Sequence, residues 1–130
     1  MIKNTILTMT SVCLLFLAFT GSADAATLTV GAGVDAASNG RALQAALDAA
    51  VPGDTVELEA GGTFLGGFNL AVKSCVTARS EEECWITIRT SAEGELPAPG
   101  ARINPSHSAT LPKLVSYSGP VLSTEPGAHH

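Results

Sequence analysis

The sequence has few basic residues and lacks the short motifs that hold nucleotides, acyl intermediates or zinc. Seven lysines and arginines stand against twelve aspartates and glutamates, and the basic residues are scattered along the chain. A nucleic-acid binder clusters Lys and Arg to neutralise phosphates, so this pattern argues against that class. A glycine-rich phosphate loop, a nucleophile elbow and zinc-ligand spacings are also missing. Nucleotide, acyl-transfer and metallohydrolase functions therefore have no support.

Closely set aspartates, the acid and base of many glycoside hydrolases, are missing as well. The sequence has no Asp-Asp pair and no Asn-Thr-Asp run, and after residue 25 its aspartates are Asp35, Asp48 and Asp54. We predict that the first lies in a loop, the second on a helix and the third in a turn. None belongs to a catalytic motif, so the catalytic residues are unknown from sequence.

The long apolar run of the sequence is confined to the N-terminus. Lys3 provides a short basic start, residues 12–19 are almost wholly apolar, and Ala23 and Ala25 place small residues where a signal peptidase reads them. The apolar core is shorter than the roughly 20 residues needed to cross a bilayer. We predict that residues 1–25 are a cleaved secretory signal peptide, which makes the protein secreted or periplasmic, with no membrane span after cleavage.

The remaining chain, residues 26–130, is long enough for one domain, or part of one, with a modest core. Cleavage removes Lys3 and Asp24 together, so the formal charge of −5 is unchanged. The sequence leaves the oligomeric state open.

Two cysteines remain after cleavage, Cys75 and Cys84, on either side of the polar segment VTARSEEE. In an oxidising compartment such a pair is normally a disulfide. A metal or redox site is the alternative, but the spacing is far from Cys-x-x-Cys and no histidine lies near in sequence. We therefore predict a Cys75–Cys84 disulfide.

One helix is predicted near the start of the mature chain. Apolar residues recur at helical spacing on one narrow face: Leu43, Ala46, Leu47 and Ala50. Ser38 or Asn39 is expected to cap its N-terminus, because such side chains accept hydrogen bonds from first-turn amides. Pro52 ends the helix, and Gly53 and Asp54 turn the chain.

Only short strands are predicted around this helix. They are expected at residues 27–30, 55–59, 85–90, 101–104, 114–115 and 121–122, with further apolar positions at Phe64, Phe68 and Leu70. A β-sandwich would need hairpin signals between paired strands, and the Asn39-Gly40 pair precedes the helix instead. A parallel β-helix needs only short strands and loops of any length, so we favour that mainly β fold.

The run LQAALDAAVPGDTVELEAGGTF, followed by WITIRTS, resembles the N-terminal region of bacterial right-handed parallel β-helix proteins of the pectate-lyase-like superfamily. The likeness is good over residues 30–91 and looser over 97–130. It implies an N-terminal capping α-helix that covers the apolar end of the stack, seated over Val56 and Leu58. The C-terminal VLSTEPGAHH shows no comparable cover, so we expect an incomplete solenoid. An ordinary α+β domain is the alternative.

The resemblance also implies a polysaccharide partner. Related lyases hold calcium with acidic residues and use Arg or Lys as a base, while related hydrolases use paired carboxylates. The sequence itself identifies neither cofactor nor active site. We expect an exported β-helix protein related to polysaccharide-acting enzymes, with a non-catalytic carbohydrate-binding or structural module as the alternative. Whether it is a lyase, a hydrolase or neither stays open.

The remaining charged residues are interpreted as surface groups. Glu57 and Glu59 share the outer side of a strand, which is normally solvated. Three consecutive glutamates, residues 81–83, offer carboxylates for calcium, but such runs are usually solvated too. Arg89 and Arg102 are equally placed for an acidic sugar or for a surface ion pair.

The three histidines form no convincing site either. His129 and His130 are adjacent, so on a strand their side chains would point to opposite faces. His107 is predicted to be a surface loop residue. No metal site is predicted from these residues.

Overall fold

The computed structural model describes residues 25–75, 80 and 82–128. The predicted signal peptide up to residue 24, Glu81 and the two C-terminal histidines lie outside the described residues. No helix in the described part is long and apolar enough to span a membrane.

The described residues form one α-helix and seven short β-strands. In chain order these are β1 (Thr27–Val30), α1 (Ala36–Ala49), β2 (Thr55–Leu58), β3 (Thr63–Leu65), β4 (Phe68–Leu70), β5 (Thr87–Thr90), β6 (Lys113–Val115) and β7 (Leu122–Thr124). Short 3-10 helices lie at Glu82–Cys84, Glu93–Glu95 and Pro105–Ala109.

The strands pair in parallel and form three small sheets. Sheet 1 has the order β1-β2-β5, sheet 2 pairs β3 with β6, and sheet 3 pairs β4 with β7. The chain therefore passes through sheets 1, 2 and 3 in β2, β3 and β4, and repeats that order in β5, β6 and β7. This is a small mixed α/β arrangement in which parallel pairing, as expected, replaces hairpins.

The core is built from one face of each early strand and one face of the helix. Its largest fully buried side chains are Phe64, Leu43, Leu47, Leu58 and Val56. The predicted alternation in β2 is confirmed, since its two apolar residues are buried and Glu57 is not. Of the helix face predicted from sequence, Leu43 and Leu47 are buried, Ala46 is partly buried, and Ala50 is buried as the residue that caps the C-terminus.

Helix α1 packs chiefly against β3 and then β4, and less against β1 and β2. The expectation that it seats over Val56 and Leu58 therefore needs correction. Strand β1 already pairs with β2 in register from Thr27 on Thr55 to Val30 on Leu58. Because β1 fills the place beside β2 in sheet 1, the helix that follows it lies beside sheets 2 and 3.

The helix begins earlier than predicted, and Asp35 is its cap. The Asp35 carboxylate accepts hydrogen bonds from the amides of Ala37 (3.2 Å) and Ser38 (3.0 Å) and from the Ser38 hydroxyl. The hydrogen bond from the Ser38 side chain, then those from the two amides, lower the pKa of Asp35. The predicted cap at Ser38 or Asn39 was wrong because both residues lie inside the first turn.

The side chain of Asn39 links two segments of the chain, a role that only the tertiary structure shows. It is buried, and its side-chain amide donates to the carbonyls of Gly33 (3.1 Å) and Thr63 (2.9 Å). Its side-chain oxygen accepts from the Gly33 amide at 2.8 Å. Asn39 therefore joins the loop before α1 to the start of β3.

Several strand predictions differ from the structure. The strand predicted at residues 85–90 begins at Thr87, and those predicted at 55–59 and 114–115 differ by one residue at one end. Residues 101–104 form no strand and are all exposed, because Asn104 begins the 3-10 helix Pro105–Ala109 instead of pairing with another strand. The last strand is Leu122–Thr124, whereas residues 121–122 were predicted. Val121 precedes this strand and packs, partly buried, against the core.

The predicted Cys75–Cys84 disulfide is present, with the Cα atoms 5.6 Å apart. That distance is within the usual range for a bridge. The bridge ties the segment after β4 to the 3-10 helix Glu82–Cys84, which precedes β5.

Loss of this bridge should be measurable. We expect Cys84→Ser to lower the free energy of unfolding by roughly 2 to 3 kcal/mol, because the short loop is no longer closed in the unfolded chain. Thermal unfolding with and without reductant is the measurement. Reductant should lower the unfolding midpoint of the native protein to that of Cys84→Ser and leave the midpoint of Cys84→Ser unchanged. An equal response of both proteins to reductant would contradict the prediction.

Candidate functional site on the outer face of the first sheet

Sheet 1 presents two rows of side chains on the side away from the core. The strand register aligns Thr27, Thr55 and Thr87 in one row and Thr29, Glu57 and Arg89 in the next. Side chains alternate across a strand, so the residues between them point inward. We call these six residues, together with Trp85, the outer face of sheet 1.

Trp85 extends the outer face at the start of β5. Trp85 and Ile86 precede β5, which begins at Thr87; Ile86 is in the core, whereas Trp85 is 47% exposed, as Thr87 is exposed two residues later. The Trp85 carbonyl accepts from the Gly53 amide at 3.0 Å. This bond fixes the backbone of Trp85 against the turn that follows α1.

Arg89 provides the positive charge of the outer face, and two carboxylates hold it. Its guanidinium lies 3.0 Å from Glu57 Oε2 and 3.0 Å from Glu93 Oε2. The Arg89 Nε atom also donates to Glu57 Oε2 at 3.1 Å. Of the two roles left open by the sequence, the structure shows the ion pair, and the three groups together carry an excess of one negative charge.

The carboxylates at the end of β2 do not act as a pair. Glu57 binds Arg89, while Glu59 Oε2 accepts from the amide of Ala32 at 2.6 Å. The surface interpretation of these two glutamates agrees with their different partners. Each carboxylate is assigned to a separate structural contact.

Calcium, implied by the family resemblance, finds no suitable donor set in the part of the chain described. Within residues 25–75, 80 and 82–128, no group of three or more His, Cys, Asp or Glu residues could hold a metal ion. Glu82 and Glu83 lie in a 3-10 helix beside the disulfide. Glu81, the first glutamate of the run at residues 81–83, lies outside the described residues.

The three aspartates lie where the sequence predicts, and each has a structural partner. Asp35 caps the helix, and Asp48 on α1 accepts from Gln44 Nε2 at 2.7 Å. Asp54 is buried in the turn, where its carboxylate accepts from the amides of Ala26 (2.8 Å) and Val51 (2.9 Å). The contact with Ala26 joins parts of the chain that sequence spacing does not connect.

His107 is not a loop residue but part of the 3-10 helix Pro105–Ala109. Its Nδ1 atom accepts from the Asn104 amide at 3.1 Å, while Asn104 Oδ1 accepts from the Ser106 amide at 2.9 Å. This reciprocal capping box explains the Asn-Pro-Ser-His run, which sequence reasoning missed. Arg102, just before it, is exposed.

A second surface feature is an apolar groove of about 400 Å³ beside β5 and β6. Its apolar lining consists of Leu58, Ile88, Leu96, Leu111, Pro112 and Leu114. Ile88 and Leu114 belong to the last strands of sheets 1 and 2 in the described part and are only partly buried. The core is therefore less covered at this end than under α1.

The outer face of sheet 1 is the candidate site, since it combines an exposed aromatic ring with rows of hydroxyl and charged groups. Comparison of the chain with family models, with curated proteins and with solved structures found no match.

Proposed function

We propose that this chain forms the helix-capped end of an exported right-handed parallel β-helix, which binds a polysaccharide on the outer face of sheet 1 without a catalytic step there. The sequence resemblance to pectate-lyase-like proteins supports the choice of fold. Among the expected functions, this is the non-catalytic carbohydrate-binding module.

The repeated order of the three sheets supports a β-helix. In a solenoid each coil stacks like residues on the coil before it. Here Val56 pairs with Ile88 in sheet 1, and in sheet 2 Phe64 pairs with Leu114. A right-handed sense is expected because connections between parallel strands of one sheet are right-handed in about 98% of cases.

The place of α1 supports the capping role. In the first turn of the chain, β1 belongs to sheet 1 and the helix follows it beside sheets 2 and 3. The helix therefore occupies the position that two strands occupy in each later coil. Leu43 and Leu47 of α1 and Phe64 of β3 are fully buried where α1 packs against β3, which supports a capping role for the helix.

An incomplete solenoid is part of the same proposal. At the end away from α1, the apolar groove between β5 and β6 leaves Ile88 and Leu114 partly exposed. A stack of coils buries its apolar layer only against a neighbour. A further coil or another cover would therefore complete the core at this end.

The observation that carries the polysaccharide proposal is the half-exposed Trp85 beside the row of threonines. Aromatic rings offer sugars an apolar surface with a polar edge, and hydroxyl groups supply donors and acceptors to the ring hydroxyls. Arg89 and Glu57 of the outer face, together with Glu93 just after β5, carry one excess negative charge. Like charges repel, so we propose a neutral polysaccharide rather than a polyuronate.

A non-catalytic function is supported by the carboxylates of this region, because each of them already binds another group of the protein. Glycoside hydrolysis needs two carboxyl groups that face one bond. On this face Glu57 binds Arg89, and the nearby Glu59 accepts from the backbone of Ala32. Arg89, the base type used by related lyases, is likewise held in two ion pairs.

Binding can be tested with the single tryptophan of the chain as the reporter. Neutral polysaccharides should change the fluorescence of Trp85 and saturate, while polygalacturonate should not. In calorimetric titrations, Trp85→Ala should weaken binding by roughly tenfold or more, as expected for a buried aromatic contact. Tyr117→Ala is the matched control, because Tyr117 is 89% exposed in the segment after β6, away from sheet 1.

Two outcomes would contradict the proposal. Equal weakening by Trp85→Ala and Tyr117→Ala would remove the outer face of sheet 1 as the site. Release of ultraviolet-absorbing products from polygalacturonate with calcium would show a lyase instead of a binding module.

A further inference from the structure

The buried carboxylate of Asp54 holds the backbone at the very position where we predict signal-peptide cleavage. Asp54 is 4% exposed, and its Oδ1 atom lies 2.8 Å from the nitrogen of Ala26. Its Oδ2 atom accepts from the Val51 amide at 2.9 Å. The Ala26 carbonyl in turn accepts from the Thr55 amide at 2.8 Å, so Ala26 is held on both sides of its Cα atom.

We propose that Asp54 is the binding site for the α-ammonium group that forms when the chain is cleaved between Ala25 and Ala26. This inference rests on the export part of the proposed function. It assigns a ligand to Asp54, namely the new N-terminus of the same chain, and it makes cleavage a step that strengthens the fold.

The chemistry of cleavage places a positive charge at this atom. Hydrolysis adds the oxygen of water to the Ala25 carbonyl carbon and breaks the bond to the Ala26 nitrogen. Ala25 leaves as a carboxylate on the signal peptide, and the Ala26 nitrogen becomes an amine. Such an amine is largely protonated at neutral pH. A neutral amide donor to Asp54 is thereby replaced by an ammonium donor at the same atom.

Asp54 is suited to this partner because its carboxylate is buried and accepts from backbone amides. The ion pairs of Arg89 are with Glu57 and Glu93, and neither involves Asp54. Before cleavage Asp54 therefore has two neutral amide donors, both from the backbone. A buried charge gains most from a partner of opposite sign in direct hydrogen-bond contact, and bonds between two charged groups are the strong ones.

The position also has consequences for folding. Ala26 precedes β1, which pairs with β2, and Asp54 precedes β2. An ion pair between the two residues therefore fastens the start of the first strand pair of sheet 1. The processed chain should hold β1 in place more firmly than the precursor does.

The test compares the processed protein, beginning with Ala26, with the same chain acetylated on its α-amine. Acetylation restores an amide N–H at Ala26 and removes only the charge, so it is a matched control. Each form is also prepared with Asp54→Asn, and all four are unfolded in urea with Trp85 fluorescence as the signal. We expect the free amine to raise the folding equilibrium constant about tenfold in the native background and less than about twofold in Asp54→Asn.

A second measurement avoids any dependence on the folding of Asp54→Asn. The α-amine of native protein should react with acetic anhydride about tenfold more slowly than in urea, since a paired ammonium is not a nucleophile. Lys113, which is exposed, should react at similar rates in both and is the internal control.

The cleavage position and the role of Asp54 are tested by different results. Mass spectrometry of the exported protein should give an N-terminus at Ala26, and any other start would overturn the cleavage position. Equal effects of acetylation with Asp54 and with Asn at that position, or equal amine reactivity in the folded and unfolded protein, would overturn the role of Asp54.

Discussion

Gly40→Ala should destabilise the fold by about 3 kcal/mol, although the same change in an exposed helix interior stabilises by about 1 kcal/mol. The reversed sign comes from the close approach of α1 to β3. A Cβ atom on Gly40 would lie 2.0 Å from the carbonyl oxygen of Leu65, a backbone atom. Because β3 is fixed by its pairing with β6, the helix itself must move away, which opens the core beneath it.

Urea unfolding followed by Trp85 fluorescence measures this effect, and Gly94→Ala is the control. Gly94 lies in a 3-10 helix with no heavy atom within 4 Å of an added Cβ, so its substitution should change stability by less than about 0.5 kcal/mol. A Gly40→Ala protein as stable as the native one would show that α1 does not sit on β3 as described.

Phe64→Ala should cost about 3 to 5 kcal/mol, because it removes the largest fully buried side chain and leaves a cavity. Phe64 is 0% exposed on β3, where it lies between α1 and Leu114 of the neighbouring strand. Small domains are stable by only about 5 to 15 kcal/mol, so this loss is a large part of the total.

The midpoint of urea unfolding is again the measurement. Phe64→Leu should cost less than Phe64→Ala, since most of the volume is kept, and it guards against a variant that fails to fold. Tyr117→Ala removes an aromatic ring that is 89% exposed and should have little effect. A Phe64→Ala loss below about 1 kcal/mol would contradict the placement of β3 in the core.

The local sequence pattern was sufficient to predict features that depend on residues close together in the chain. The alternation of Val56, Glu57 and Leu58 predicts which side of β2 is buried, since successive side chains of a strand point to opposite faces. The turn through Pro52 and Gly53 follows from their backbone restrictions, and Gly53 does adopt a positive φ of 95°. The disulfide was also predictable, because only two cysteines follow residue 25.

Local pattern failed where the partner is distant in the chain. Ser38 and Asn39 are good cap residues by type. The side chain of Asn39, however, is hydrogen-bonded to the carbonyls of Gly33 and Thr63, and the helix begins at Ala36 after its cap Asp35. A strand at residues 101–104 was plausible from composition, yet no neighbouring strand pairs with it in the described part. Both errors arise because propensity is weaker than tertiary contacts.

The residues of the candidate site were likewise predictable only in part from the sequence. The sequence by itself determined that Thr55, Glu57, Thr87 and Arg89 lie on outward positions of two strands, because that depends only on the two-residue period. Only the tertiary structure decided that β2 and β5 are neighbours, which sets Glu57 beside Arg89 across 32 positions of sequence. It also decided that Asp54 binds Ala26, 28 positions away. Such pairings depend on how the whole chain packs, and no local period of the sequence encodes them.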